Sequence, residues 1–229
     1  MMIAPNSISA VIFDMDGTLV NSEVYTSQAV LKLCYEFGLK NTNFDLSSFT
    51  GASWESIATV MVGYYPQLNN KPGIPKRLHE IFHQLLRQNP PRPIKHARRA
   101  VICASKLMPT AVVSSSHRES VEETIRNLDI ESCIQYYAGV EDSCRAKPEP
   151  DCYLRAAEYF SLEPRECLVF EDSFAGIQAA VQAGMPVIAI NNGHQNPSIF
   201  RQLVQMTIRD YSELGTQFFS RVYKQNASR

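Results

Sequence analysis

The sequence predicts an α/β protein: a Rossmann-like parallel sheet with helices on both faces and a helical domain inserted after the first strand. Three observations carry that expectation. Val11-Ile12-Phe13 is apolar and β-favouring without alternation, the texture of a strand buried on both faces. From Ile94 onward short apolar runs alternate with helical stretches of roughly ten residues, as in βαβ units. Between them, residues 21–92 hold amphipathic helical stretches and no good strand. The expected domains are a core of residues 1–20 and 93–229 and a helical insert of residues 21–92.

In the insert, Val24, Ala29, Val30, Leu33, Cys34 and Phe37 recur at helical spacing, and Gly38 stands where a C-cap belongs. A second helix is expected from Trp54 to Tyr65, then a breaker-rich loop through Pro75. Leu78, Ile81, Phe82, Leu85 and Leu86 form a third stripe, closed by Asn89-Pro90-Pro91-Arg92-Pro93. The core resumes with a helix over 97–108, a strand at 110–114 and a helix to Leu128. A weak strand at 136–139, a helix over 152–160 and a strand at 167–170 come next. A helix over 175–183 ending at Gly184, a strand at 187–190 and an amphipathic tail through Phe218 complete the reading. Beyond that the chain is polar and expected to fray.

A chain of 229 residues suits one large domain or one domain with an insert. With 22 basic and 23 acidic residues and no charge run, nucleic acid and anionic membrane are poorly supported as partners. No stretch reaches membrane-spanning length, and Met1 to Ser9 lacks the features of a secretion signal. The six cysteines are scattered without paired spacing, which favours reduced thiols. A cytoplasmic monomer is expected.

Chemistry concentrates at strand ends. Asp14 and Asp16 end the first strand one residue apart, so both can point the same way while Met15 points elsewhere. Two such carboxylates need a cation between them or a shared proton. A calcium loop would need its glycine at the sixth position, whereas Gly17 is at the fourth. A capped turn is the plainer reading. Ser114-Ser115-Ser116 ends the next strand before a helix, where serine is a common N-cap and where hydroxyls and free amides also bind anions. Lys147 sits in Ala146-Lys147-Pro148-Glu149-Pro150, from which it can be aimed at phosphate oxygens and Asp14. Glu171-Asp172 closes another apolar strand, as helix cap or as oxygen ligand for a hard cation.

Asp14-Met15-Asp16-Gly17-Thr18, followed in order by Ser114, Lys147 and Glu171-Asp172, resembles the haloacid dehalogenase superfamily. Glu171-Asp172-Ser173-Phe174-Ala175-Gly176-Ile177-Gln178-Ala179-Ala180 is similar to the branch holding β-phosphoglucomutase and phosphoglycolate phosphatase, and the insert falls where that branch carries its helical cap. The resemblance implies a magnesium-dependent phosphatase acting on a small phosphorylated metabolite, a sugar phosphate or sugar-acid phosphate. Asp14 is then the nucleophile that becomes an aspartyl phosphate, and Asp16 the general acid and base. Magnesium is held by Asp14, the backbone carbonyl of Asp16 and Asp172, with Glu171 behind them. Ser114, Ser115, Lys147 and amides of the first loop bind the phosphoryl oxygens, with Thr18 beside them steadying the turn. The cap, through Tyr25, Thr26, Ser53 and Trp54, reads the leaving group.

The same core could serve a phosphosugar mutase. That branch uses a His on the first cap helix and an Arg in the cap loop, and Thr26 and Trp54 occupy those positions here, which favours the hydrolase. A non-catalytic phosphometabolite-binding protein is the different-class alternative, and it would be expected to have lost one of the motif residues. His79-Glu80-Ile81-Phe82-His83 matches the zinc-protease pattern, but no later His or acid cluster is an evident third ligand. Both histidines are therefore expected as exposed polar positions beside the Ile81/Phe82 stripe, and zinc is not expected.

Overall fold

The computed structural model describes residues 7–39, 46–49, 54–191 and 202–223. The chain divides into two compact units, Met1–Asn21 with Arg92–Arg229, and Ser22–Pro91.

The larger unit is built on β1 (Ala10–Phe13), β2 (Thr110–Val113), β3 (Tyr136–Ala138), β4 (Cys167–Glu171), β5 (Val187–Ile190) and β6 (Met206–Ile208). All pairings are parallel, in the order β3-β2-β1-β4-β5-β6. The chain runs outward from β1 to β3, then returns to the other side of β1 with β4. That reversal opens a crevice at the carboxyl ends of β1 and β4, where open α/β sheets bind ligands. β1 lies between β2 and β4 with Phe13 opposite Val112 and Phe170, and the Phe13 and Phe170 rings stack at 5.1 Å.

The smaller unit holds α1 (Glu23–Glu36), α2 (Trp54–Tyr64) and α3 (Ile74–Gln88). Ala29, Val30, Leu33, Ile57, Met61, Leu78 and Ile81 form its apolar core. Gly38, at φ 64°, reverses the chain after α1, as a helix C-cap glycine does. Glu36 and Arg77 clip α1 to α3 at 2.7 and 2.9 Å.

Helices α4 (Ala97–Ser105), α5 (Arg118–Asn127) and α8 (Phe218–Val222) cover one face of the sheet, packing on Val11, Phe13, Leu168 and Phe170. Helices α6 (Asp151–Phe160) and α7 (Phe174–Gln182) cover the other, packing on Ala10, Ile12, Val169 and Ala189. Neighbouring strand residues therefore serve opposite cores, which is why β1 reads as an unbroken apolar run.

Three expectations need correction. β6 was not foreseen: it has three residues, two of them exposed, too few for a periodic signal. The tail past Phe218 is not all polar coil, because Phe219 and Val222 bury one face of α8 against the sheet. His83 is buried rather than an exposed polar position, and its Nε2 lies 2.8 Å from that of His79.

Candidate active site

The end of β1 turns at once into a tight loop. The Met15 carbonyl accepts from the amides of Leu19 and Val20 at 2.8 and 3.1 Å, which folds residues 15–20 back on themselves. Met15 itself is buried with Phe13 in the core, so Asp14 and Asp16 are the residues presented at the crevice. Gly17 has φ 79°, and a Cβ there would lie 1.9 Å from Asp172 Oδ2. Glycine is thus required twice, for the left-handed turn and for the approach of the β4 loop. Thr18 Oγ1 donates to Asp172 Oδ1 at 3.2 Å, joining the two strand ends.

Lys147 enters from the segment before α6. Its Nζ donates to Asp14 Oδ1 at 2.7 Å and to Glu171 Oε1 at 2.8 Å, with 5% of its side chain exposed. Glu171 is wholly buried and each of its oxygens accepts two hydrogen bonds. Oε1 takes Lys147 and the Tyr153 hydroxyl (3.2 Å), and Oε2 takes the amide and hydroxyl of Ser173 (2.7 and 3.0 Å). Gly176 makes room for this carboxylate, since a Cβ there would stand 1.5 Å from Oε1. The Lys147 ammonium also lies 5.0 Å from the Tyr153 ring centroid, a cation–π contact. Burial is the largest influence on Asp14 and raises its pKa to about 8; Glu171 and Asp16 push the same way, and Lys147 opposes them. Burial works against the Lys147 charge, yet Asp14 and Glu171 hold its pKa well above the ordinary lysine value.

On the β2 side, Asp16 Oδ2 accepts from Ser114 Oγ at 3.1 Å and from Ser116 Oγ at 2.7 Å, and the Ser116 amide donates to Ser114 Oγ at 2.9 Å. Asp16 Oδ1 is buried and accepts no hydrogen bond. Tyr211 lies behind β1 and β4, its ring against Phe13 and Phe170. Its hydroxyl is buried without a hydrogen-bond partner, and burial first, then the charges of Asp14 and Asp172, hold its pKa well above the usual tyrosine value.

Oxygen atoms of Asp14, Glu171 and Asp172 lie within 4.8 Å of one another. This donor set is all oxygen, and together with the orphaned Asp16 Oδ1 it fits a hard cation such as magnesium. Glu171 is the most heavily engaged of the three, with four hydrogen bonds on its two oxygens.

The structure therefore gathers Asp14, Asp16, Ser114, Lys147, Glu171 and Asp172 around the carboxyl ends of β1, β2 and β4. Of the remaining expected residues, Thr18 is fully buried with its hydroxyl on Asp172. Ser115 is exposed, and Ser116, two residues beyond Ser114 and on the same side, is the second hydroxyl on Asp16. Tyr25 and Thr26 are half-buried on α1. Trp54 opens α2, with its ring edge-on to Phe82 at 5.3 Å and to His79 at 6.4 Å. Ser53 lies outside the described residues. Sequence reasoning missed Ser116, Tyr153 and Tyr211; only Ser116 carried a signal, the i, i+2 spacing from Ser114.

The family model for haloacid dehalogenase-like hydrolases matches residues 11–190. The chain is 28% identical over 182 residues to a phosphorylated carbohydrates phosphatase of Thermotoga maritima, covering 78% of this chain and 82% of that one. It is 25% identical over 189 residues to a fructose-1-phosphate phosphatase of Escherichia coli, covering 80% and 96%. The fold matches the crystal structure of a β-phosphoglucomutase from Clostridium difficile with a TM-score of 0.71 at 18% identity, over 95% of this chain and 98% of that one. Matched by that family model over most of its length, the chain belongs to the haloacid dehalogenase-like hydrolases and is a phosphoric monoester hydrolase.

Proposed function

We propose that this enzyme is a magnesium-dependent phosphatase of small phosphorylated carbohydrates, working through an aspartyl phosphate on Asp14. The observation that carries the reading is the Lys147 ammonium held between Asp14 and Glu171 beside Asp172. A buried lysine balanced this way can bind a phosphoryl oxygen while leaving Asp14 aimed at phosphorus. Asp14, Asp172 and the backbone carbonyl of Asp16 would hold magnesium. When bound, the ion supplies positive charge that offsets carboxylate–phosphate repulsion.

Asp16 protonates the leaving oxygen and then takes the proton of the attacking water, help typically worth about 10²–10⁴-fold. Its present bonds to Ser114 and Ser116 suit that cycle. A phosphoryl group competing for the two hydroxyls releases the Asp16 carboxyl toward the leaving oxygen. Ser114, Lys147 and the loop amides then stabilise the charge on the transferring group. Glu171, positioned by Tyr153 and Ser173, orients Lys147.

Sugar phosphates and sugar-acid phosphates are the proposed substrates, in line with the names of the relatives from Thermotoga maritima and Escherichia coli. Selection of the leaving group is assigned to the inserted unit, where Tyr25, Thr26 and Trp54 lie. A mutase is the second reading, favoured by the fold match to β-phosphoglucomutase. Against it, Thr26 and Trp54 cannot supply the charge-assisted contacts of His and Arg. The test is product analysis with β-glucose 1-phosphate and a bisphosphate primer, with magnesium and with chelator. Stoichiometric inorganic phosphate that disappears on chelation is expected. Efficient conversion to glucose 6-phosphate with little phosphate released would overturn the hydrolase, and chelator-resistant turnover would overturn the metal.

No helix among the described residues is long and apolar enough to cross a membrane, and all six cysteines are free. The cytoplasm is the proposed location, on the scattered spacing of the cysteines.

A further inference from the structure

Helix α3 carries a pair of facing imidazoles that the phosphatase chemistry does not use. His79 and His83 stand one turn apart with their Nε2 atoms 2.8 Å apart and their rings nearly perpendicular, at 83°. Aromatic rings pack on both: Phe82 is edge-on to His83 at 5.5 Å, and Trp54 edge-on to His79 at 6.4 Å. His83 is only 8% exposed.

Two neutral imidazole nitrogens in this contact share one proton: one ring donates from Nε2 and the other offers its Nε2 lone pair. If the donor ring moves its proton to Nδ1, both Nε2 lone pairs converge on one point. That arrangement is a chelate, and its geometry is nearly met. Coordination bonds of about 2.0–2.1 Å at a tetrahedral angle place two nitrogens about 3.3 Å apart, so the rings need open by only about 0.5 Å. Their shared helix face supplies the positioning without a loop to order.

We propose that His79 and His83 form a binding site for a borderline transition-metal ion of the zinc or nickel class. Nitrogen donors make it chemically unlike the oxygen site of the core. Imidazole suits zinc, copper and nickel, whereas magnesium demands oxygen. The site is for binding and not for peptide hydrolysis. Glu80, which would be the general base of a zinc protease, is exposed and paired with Arg77 at 3.1 Å.

Trp54 is the only tryptophan of the chain and touches His79, so it reports on the site directly. The experiment is a nickel titration of the full-length protein followed by tryptophan emission, since nickel quenches an indole at short range. Saturable quenching is expected, relieved by excess zinc, which competes without quenching, and not by excess magnesium. Two ligands linked on one scaffold bind about 10²–10⁴-fold more tightly than either alone. His79→Gln and His83→Gln should therefore each raise the half-saturating concentration about a hundredfold or more. His79 is the more accessible of the two, so the His79 variant gives the answer if the His83 variant fails to fold. Asp172→Ala should leave the titration unchanged. An unchanged half-saturation in the folded His79 variant would overturn the proposal. So would relief of the quenching by magnesium, or loss of quenching in Asp172→Ala, either of which puts the ion on carboxylates.

Discussion

The site of the sheet unit and the clip of the helical unit hold their ion pairs differently. At the strand ends of the sheet unit, the charged groups are buried and paired over long sequence separations. Lys147 meets Asp14 across 133 residues with 5% and 7% of the side chains exposed, and Glu171 has no exposed surface. In the helical unit, the Glu36–Arg77 clip is a surface pair, 29% and 43% exposed. Removing one partner of a buried pair costs about 3–5 kcal/mol, because the other charge is left stranded. A surface pair is worth about 0–1 kcal/mol. In the sheet unit two carboxylates share one lysine, so losing Lys147 would strand both, whereas losing the charge of Asp14 leaves Lys147 paired with Glu171. The helical unit has an apolar core, and its surface clip can be lost at little cost to the fold.

The largest expected effect, and the sharpest test of that contrast, is Asp14→Asn. Turnover should fall by essentially all its magnitude, since the amide is no nucleophile. Stability should move the other way in metal-free protein. The folded pKa of Asp14, about 8, exceeds the ordinary value of 3.8. The proton is thus held more tightly by the native state, and its contribution is full below pH 4 and lost as pH rises through 8. Asparagine removes that loss, so the melting temperature of the variant should exceed that of the parent increasingly from pH 6 to 9 without magnesium. A variant melting lower throughout would contradict the strained, carboxylate-rich end of β1.

Second in size is Gly176→Ala. Its Cβ would displace the Glu171 carboxylate from Lys147, Tyr153 and Ser173. Breaking a buried ionic cluster, less the gain in helix propensity, gives about 3 kcal/mol of destabilisation. Turnover should fall as well, because Lys147 loses the partner that aims it. Chemical denaturation measures the first, and an assay on folded protein the second. A neutral variant would mean that Glu171 can move freely, and the contrast between the units would collapse.

The physical reasons that made the sheet unit legible are the ones that make it costly to change. An unalternated, β-branched run such as Val11-Ile12-Phe13, stopped at once by carboxylates and a glycine, reads as a strand between two packed layers. Carboxylates at the ends of two such runs, with a serine cluster and a lysine in the family's order, led to one expected site. The structure brings Asp14, Lys147 and Glu171 into direct contact, and Asp16 onto Ser114. Order along the chain does not say which hydroxyl turns inward, so the contact of Ser116 with Asp16 had no signal beyond its i, i+2 spacing from Ser114. Tyr153 and Tyr211 were illegible because their hydroxyls reach β4 and the space behind β1 through packing alone. The spacing of His79 and His83 was plain. Their burial, which depends on how α3 meets Trp54 and Phe82, was not.

Two tyrosines give a third, smaller test within the sheet unit. Tyr153→Phe removes one of the four bonds to Glu171 and should cost about 1 kcal/mol in stability, as a single hydrogen bond does. Tyr211→Phe removes a hydroxyl that has no partner, so it should be neutral or slightly stabilising in metal-free protein. Comparing their melting temperatures decides it: equal losses would mean that the Tyr211 hydroxyl is bonded after all.

The smallest effect should come from the helical unit and carry the opposite sign. Gly63 lies in the last turn of α2, is exposed, and has no atom within 4 Å of where a Cβ would stand. Nothing requires glycine there for room, unlike Gly17 or Gly176, and its backbone is helical. Glycine in a helix costs about 0.5–1 kcal/mol relative to alanine through the freedom it loses on folding. Because the last turn is only partly hydrogen-bonded, Gly63→Ala should stabilise the protein by about 0.5 kcal/mol, at the low end of that range. Turnover on a small aryl phosphate should be unchanged, because the substitution touches neither charge nor strand end. The same Gly→Ala exchange is thus expected to unmake the site in α7 and to strengthen the fold in α2. A loss of stability at Gly63 as large as that at Gly176 would show that the helical unit is no more tolerant than the sheet.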